Sequence, residues 1–322
     1  MKVVVTGGSG FLGSHLCEAL LRRGDTVRCL DNHCTSEARN VSHLLGHPRF
    51  TLVRTDVTAP FDVAEPVDAV VHLASPAAPP DYRRMPLETL SAGSHGTENA
   101  LLLALRWGAR FLLASTSEVY GDPAVHPQRE GYWGNVNPVG PRSVYDEAKR
   151  YAEALTTAYR ENLGVDTGIV RIFNTYGPHM RPHDGRVVST FLRQALAGAP
   201  LTVYGDGSQT RSFCYVDDLV RGLTAMLDSP HAGPINLGNP SEYTVRRLAE
   251  LVLAVTGSPS AVVHRRLPVD DPARRRPDIS RAHALLGWAP EVPLETGLRR
   301  TADWFTRLPA PVFPGAAESV EV

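Results

Sequence analysis

The segment Val3-Val4-Val5-Thr6-Gly7-Gly8-Ser9-Gly10-Phe11-Leu12-Gly13 narrows the possible folds more than any other stretch of this chain. Three β-branched apolar residues read as a buried strand, and residues 13–23 repeat with a helical period, so the glycines stand at a strand-to-helix turn. Gly7 permits a tight turn, Gly10 lets the backbone approach a ligand closely, and Gly13 packs helix on strand. Amide groups and the positive end of the helix then form a seat for a pyrophosphate. Asp31 ends the second apolar run, close to the ~20-residue spacing at which a carboxylate meets an adenosine ribose. It would accept hydrogen bonds from the ribose hydroxyls and repel a 2′-phosphate, so the expected cofactor is NAD rather than NADP. Asp56-Val57 follows the third strand, where it borders the adenine or simply caps a solvated turn.

Further apolar runs at 27–30, 50–53, 69–73, 111–114 and 167–170 alternate with helical patterns at 13–23, 86–107 and 145–163. Continuous apolar runs mean strands buried on both faces, and their alternation with helices predicts an α/β fold with a doubly wound parallel sheet. After about residue 173 the pattern loosens. Loops rich in Pro, Gly and His at 176–186 and 201–211 separate helices at 187–197, 216–228 and 244–255, with a strand near 234–237. The expected division is a nucleotide-binding domain over 1–172 with a returning segment at about 213–238. A smaller, discontinuous substrate-binding lobe is expected from 173–212 and 239–307, and a disordered tail over 308–322.

Lys+Arg 33 against Asp+Glu 34 leaves a net charge of −1, so no strong field selects nucleic acid or a membrane surface. No apolar run approaches ~18 residues and no basic-then-apolar leader precedes the first strand, so neither a membrane span nor a signal peptide is expected, and a cytoplasmic location is. Cys17, Cys29, Cys34 and Cys214 show no CxxC spacing and no histidine cluster beside them, so no metal site and no disulfide framework is expected. Cys17 and Cys29 sit among apolar residues and read as small core side chains.

Tyr145 and Lys149 lie four apart in Ser143-Val144-Tyr145-Asp146-Glu147-Ala148-Lys149, so on a helix they share one face. A nearby ammonium favours the anionic form of a phenol, which makes the tyrosine a base for a hydroxyl proton while NAD takes hydride from the same carbon. The glycine turn, Thr116-Ser117-Glu118-Val119-Tyr120-Gly121 and the Tyr145/Lys149 pair together resemble extended short-chain dehydrogenases of the Rossmann type that act on nucleotide sugars. The likeness to UDP-glucuronate decarboxylases (UDP-xylose synthases) is closer and runs almost end to end. It includes His72-Leu73-Ala74-Ser75-Pro76-Ala77, Gly121-Asp122-Pro123 through His126-Pro127-Gln128, and Arg171-Ile172-Phe173-Asn174-Thr175-Tyr176-Gly177-Pro178. Asp184-Gly185-Arg186-Val187-Val188, Ser208-Gln209-Thr210-Arg211 and Asp270-Asp271-Pro272 through Arg275-Arg276-Pro277-Asp278-Ile279 complete it.

The resemblance implies a set of roles. Tyr145 with Lys149 oxidises C4 of the glucuronate, and Thr116 holds the developing oxyanion at O4. The 4-keto sugar is then a β-keto acid that loses CO2, with Glu118 and Arg275 orienting the carboxylate and managing the C5 proton. Return of hydride gives UDP-xylose. Arg211 pairs with the diphosphate, and Asn174, Val188 and Tyr204 join it in the substrate site. Phe11, Leu12, Asn32, Leu73, Ser75, Thr175 and Arg186 join the glycines, Asp31, Asp56 and Val57 around the cofactor. A homodimer packed through helices near 86–107 and 145–163 is implied as well.

Ser117 stands where nucleotide-sugar 4,6-dehydratases place an aspartate, and Glu118 where common 4-epimerases carry a small residue, which disfavours both reactions. A related epimerase, or a sensor that kept the fold without catalysis, are the competing readings; an intact proton-transfer set argues against the sensor. The base of the nucleotide, uracil or thymine, is left open. One departure from the family stands at Ser91-Ala92-Gly93, where a Lys-Thr-Asn is usual. Loss of that cation and gain of a flexible glycine predict weaker retention of the keto intermediate, and hence UDP-4-keto-xylose as a second product.

Overall fold

Strand β1 (Lys2–Thr6) is buried from its second residue on, and helix α1 (Phe11–Arg23) follows directly from the glycine turn. The helix stops at Gly24, whose left-handed backbone (φ +101°) turns its N–H back onto the carbonyls of Leu20 and Leu21. Strands β2 (Thr26–Asp31), β3 (Phe50–Arg54) and β4 (Ala69–His72) come next, then helices α2 (Pro79–Arg84) and α3 (Pro86–Ser91). A π-helical turn, Ala92–Gly96, joins α3 to α4 (Thr97–Trp107). Strand β5 (Arg110–Thr116), the long helix α5 (Ser143–Leu163) and β6 (Thr167–Ile172) complete the first half. The structure is a computed structural model and describes residues 1–266 and 274–308.

In the second half, β7 (Thr175–Tyr176), α6 (Val187–Leu196), β8 (Leu201–Tyr204), β9 (Thr210–Ser212) and β10 (Cys214–Tyr215) lead to α7 (Val216–Asp228) and β11 (Ile235–Leu237). Then come β12 (Glu242–Thr244), α8 (Val245–Thr256), β13 (Val262–Arg265), β14 (Arg274–Arg275), α9 (Ser280–Leu286) and α10 (Leu294–Thr306). Seven strands form one parallel sheet in the order β11-β6-β5-β4-β1-β2-β3. Period-two alternation sends Val3, Val5 and Val71 into the core under α1 and α7, and Val4, Val70 and Phe111 into the core under α4 and α5. Each such fully buried side chain stabilises the fold by about 1.5–3 kcal/mol.

The strand order reverses beside β1, so a crevice opens at the carboxyl ends of β1 and β4, where open α/β sheets bind their ligands. A Cβ on Gly13 would strike the carbonyl oxygen of Gly7, which explains why α1 can begin so close to the strand only with glycine there. Around the mouth of the crevice, β12, β9 and β14 form a small separate sheet.

The helix expected over 86–107 runs without a gap, and its middle, Ala92–Gly96, is the π turn. Two expectations need correction. Helices α2, α9 and α10 and the short strands β7–β10 and β12–β14 lie in segments whose brief or polar pattern gave no periodic signal. The loop expected at 201–211 holds β8 and the start of β9. From residue 309 the expected tail lies outside the described residues, as do Asp270, Asp271 and Pro272. Among the described residues, no helix is long and apolar enough to cross a membrane, and no cluster of three or more His, Cys, Asp or Glu is placed to hold a metal ion.

Candidate active site

One cavity of about 1940 Å³ runs along the carboxyl ends of the sheet from Asp31 to Arg275. Its wall includes every residue singled out from the sequence: the turn residues from Gly7 to Gly13, Asn32, Asp56, Val57, Leu73 and Ser75 at one end, and Thr116, Glu118, Tyr145, Lys149, Asn174, Thr175, Arg186, Val188, Tyr204 and Arg211 toward the other.

At the nucleotide end, Asp31 is held by its own turn. Its carboxylate accepts from the Ser9 amide at 2.9 Å, the His33 amide at 2.8 Å and the Ser36 hydroxyl at 2.8 Å. The side chain is thereby fixed at the cavity wall, and lone-pair capacity remains for a ribose hydroxyl. Asp56 accepts from the amide and hydroxyl of Thr58 and from Asn32 Nδ2. These bonds, the Thr58 amide first, hold its carboxyl below the usual range despite partial burial. Asp56 is thus a turn cap that also lines the cavity. The glycine cradle at the head of α1, together with Asp31, fits a dinucleotide of the NAD type.

In the middle of the cavity, Tyr145 and Lys149 share the inner face of α5. Lys149 Nζ donates to the Ala114 carbonyl at 2.9 Å and lies 5.9 Å from the centre of the Tyr145 ring. Burial lowers the Lys149 ammonium to about 8. Burial also pushes the Tyr145 phenol well up, while the charge of Arg186 and a hydrogen bond with Thr116 pull it the other way. Arg186 thus adds a positive charge that favours the phenolate, beside the Lys149 ammonium, which also donates to a main-chain carbonyl. Arg186 is itself aimed by Asp184, at 3.0 Å, and by the Ala77 carbonyl, at 3.0 Å.

At the far end, Glu118 follows β5 in a short turn capped by the Thr116 hydroxyl, which accepts its amide at 3.2 Å. Two arginines grip its carboxylate. Arg275 is paired to both oxygens, with Nη2 at 3.1 Å from Oε2, and Arg142 Nη2 is 2.7 Å from Oε2. Burial alone would raise this carboxyl, but the two guanidiniums outweigh it and hold Glu118 down to about 2. The neighbouring Asp146 goes the other way, pushed up to about 7 by burial and by the charge of Glu118. Parallel pairing of β14 with β9 sets Arg275 beside Arg211.

Two cavity residues were not found from the sequence. Tyr82 stacks on Tyr145 with ring centroids 5.4 Å apart and planes 8° from parallel. The available signal was Pro79-Pro80, a helix start just before it. Arg142 opens α5, and its carbonyl accepts the amides of Tyr145 and Asp146, each at 3.2 Å. The departure at 91–93 is also corrected. Gly93 is not a loose point, since a Cβ there would lie 2.6 Å from the Ala148 Cβ and 2.8 Å from its carbonyl oxygen. It is packed flush on the helix that bears Tyr145, whereas Ser91 and Ala92 line the cavity.

Residues 3–238 match the profile of the NAD dependent epimerase/dehydratase family. Over 306 residues the chain is 52% identical to UDP-glucuronic acid decarboxylase 1 of Danio rerio, covering 95% of this chain and 73% of that protein. UDP-glucuronic acid decarboxylase 1 of Arabidopsis thaliana is 52% identical over 305 residues, 95% of this chain and 70% of that protein. Among solved structures, UDP-glucuronic acid 4-epimerase from Bacillus cereus in complex with UDP-glucuronic acid and NAD superposes with a TM-score of 0.84 at 29% identity, covering 95% of this chain and 99% of that one. UDP-glucose 4-epimerase of Thermotoga maritima with UDP-glucose gives a TM-score of 0.86 at 26% identity, covering 95% and 99%. A glycine cradle with an aspartate fixed at the cavity wall, a tyrosine–lysine helix and a profile match over most of the chain agree, and the chain belongs to the NAD dependent epimerase/dehydratase family, within it to the UDP-glucuronic acid decarboxylases.

Proposed function

We propose that this protein decarboxylates UDP-glucuronate through a C4-keto intermediate to give UDP-xylose. The observation that carries this reading is Glu118 held ionised between Arg275 and Arg142 at the cavity end beside Tyr145. Two guanidiniums around one glutamate leave a positive charge in excess, which suits a second carboxylate carried by the sugar.

NAD, seated on the glycine cradle with its ribose at Asp31, supplies the hydride acceptor and donor when bound. Tyr145 takes the proton of the C4 hydroxyl as that carbon is oxidised, assisted by Arg186 and Lys149. The C4 ketone makes the C5 carboxylate that of a β-keto acid. The C5–C6 bond then breaks, CO2 leaves, and the electron pair passes into an enolate whose oxygen is held by Thr116 and Tyr145. Arg275 and Glu118 orient the carboxylate and control the proton that C5 gains. Arg211 holds the diphosphate, with Asn174, Val188 and Tyr204 beside it. Ser91 in place of a lysine leaves the keto-pentose less tightly held, so UDP-4-keto-xylose forms alongside UDP-xylose.

Exposed Leu87, Leu90, Leu102, Leu105 and Tyr151 on α3, α4 and α5 support a homodimer packed through those helices. Four free cysteines support the reducing cytoplasm as its compartment. The direct test is incubation with UDP-glucuronate while following CO2 and resolving products by mass. CO2 with UDP-xylose is expected; a C4 epimer with no CO2, or turnover of UDP-glucose instead, would overturn the assignment.

A further inference from the structure

Glu118, Arg142 and Arg275 all line the cavity, but their attachments differ. Arg275 is 4% exposed at its side chain, comes from the small sheet at the cavity mouth, and forks onto both oxygens of Glu118. Arg142 belongs to the catalytic helix. Its main-chain carbonyl accepts the Tyr145 amide while its guanidinium, through Nη2, holds Glu118 Oε2. One residue therefore ties the proton-transfer tyrosine to the carboxylate, and it comes from a different element than Arg275.

Two guanidiniums on one carboxylate allow a division of labour. A sugar carboxylate entering this end of the cavity would compete for a fork, and Arg275 offers the bidentate one. If Arg275 were the sole partner of Glu118, its transfer to substrate would leave a buried carboxylate without a cation, and Glu118 would protonate or swing away. We propose that Arg142 is a positioning residue for the reaction: it holds Glu118 ionised and in register with Tyr145 while Arg275 turns its guanidinium to the carboxylate of the sugar. This rests on the decarboxylase reading above. The groups facing Glu118 are Arg142 at the head of α5, Tyr145 and Asp146 from α5, Tyr82 from α2, Arg275 from β14 and Arg186 from the loop before α6, which faces Tyr145 as well.

The inference separates a carboxylate-specific role from a structural one. Arg142→Gln and Arg142→Lys are compared with the wild type, each loaded with NAD, on two substrates. The first is UDP-glucuronate, followed by CO2 release. The second is UDP-xylose, which lacks the carboxylate, followed by NADH absorbance as its C4 hydroxyl is oxidised. With UDP-glucuronate, Arg142→Gln should slow CO2 release on the order of 100-fold, and Arg142→Lys, which keeps the charge without the fork, should recover about tenfold of that. The acid limb of the kcat profile should move to higher pH in Arg142→Gln. Loss of one guanidinium raises the Glu118 carboxyl, and its ionised form is then lost at a higher pH as pH falls. With UDP-xylose, NADH formation should stay within a few-fold of wild type. An equal loss on both substrates, or an unshifted acid limb, would overturn the proposal by making Arg142 a helix cap and no more. If Arg142→Gln does not fold, Arg142→Lys decides by the same split between substrates, and no split overturns the proposal. A wild type that releases no CO2 removes the decarboxylase reading itself, and that arm shows which of the two has failed.

Discussion

At the nucleotide end, the groups placed to meet a ligand are largely main chain and follow the first two strands: the turn from Gly7 to Gly13 and an aspartate pinned by Ser9, His33 and Ser36. At the carboxylate end, they are charged side chains from three distant segments, with Glu118 meeting Arg142 across 24 residues and Arg275 across 157. The first end uses fixed dipoles, which bind an anion without burying a full charge. The second end buries a carboxylate between guanidiniums, an arrangement stable only while every partner is in place. On the function proposed above, binding the cofactor falls largely to backbone groups, and choosing the reaction falls to a cluster of charged side chains. Tyr145, on a helix that touches both, lies at the boundary.

The largest effect should come at that boundary. Tyr145→Phe removes the phenolic hydroxyl that α5 presents to the cavity and should lower C4 oxidation roughly a thousandfold, within the range of general base removal. Single-turnover NADH formation measures it, and NAD binding by the same variant should be close to wild type. Near-normal turnover would dissolve the boundary and move the chemistry elsewhere.

Next, Glu118→Gln or Arg275→Ala should slow CO2 release by about 100-fold, since each breaks a buried charge-assisted pair. The comparison sharpens if the loss is confined to the carboxylate end. Cofactor affinity, read by fluorescence titration of NADH, should not change by more than about twofold. A large fall in cofactor affinity would show that the two ends are not independent.

At the opposite end, Asp31→Ala should weaken NAD binding about tenfold and relax its preference over NADP. Part of that loss belongs to the turn, because three donors lose their acceptor. Asp31→Asn, which keeps an acceptor for them, should lie between the wild type and alanine. Equal affinity of the wild type for both cofactors would contradict the role given to Asp31.

The smallest effects concern positions 91 and 93, beside the helix shared by both ends. Ser91→Lys places a cation at the cavity wall and should shift products from UDP-4-keto-xylose toward UDP-xylose by a few-fold, read by mass spectrometry. Gly93→Asn should instead destabilise the protein by about 1–3 kcal/mol, as overpacking against Ala148 does in a tight core. Thermal unfolding distinguishes them. An undiminished melting temperature for Gly93→Asn would show that α5 can move away.

How much could be read beforehand follows the same division. The glycine turn, the parallel strands and the Tyr145/Lys149 pair were legible because each is a short-range pattern: a turn requirement, an unbroken apolar run, a spacing of four on a helix. Glu118 and Arg275 were picked out only through resemblance to a family, since nothing local in Ser117-Glu118 or Arg274-Arg275-Arg276 marks a buried ion pair. The π turn at Ala92–Gly96 was not legible, because an uninterrupted helical pattern runs through it.

By itself, then, the amino-acid sequence determined the individual parallel strands, the glycine turn and the face that Tyr145 shares with Lys149, each marked by a pattern within a short run of chain. Only the tertiary structure decided that Arg186 brings a further positive charge to the Tyr145 phenol, that Tyr82 stacks on Tyr145, and that Arg142 joins Arg275 on Glu118. It also decided that Gly93 is a tight contact with α5 and not a hinge. Each of these depends on where separate elements come to rest against one another. Charge and shape complementarity across 24 to 157 residues of chain leaves no periodic trace in the order of the residues.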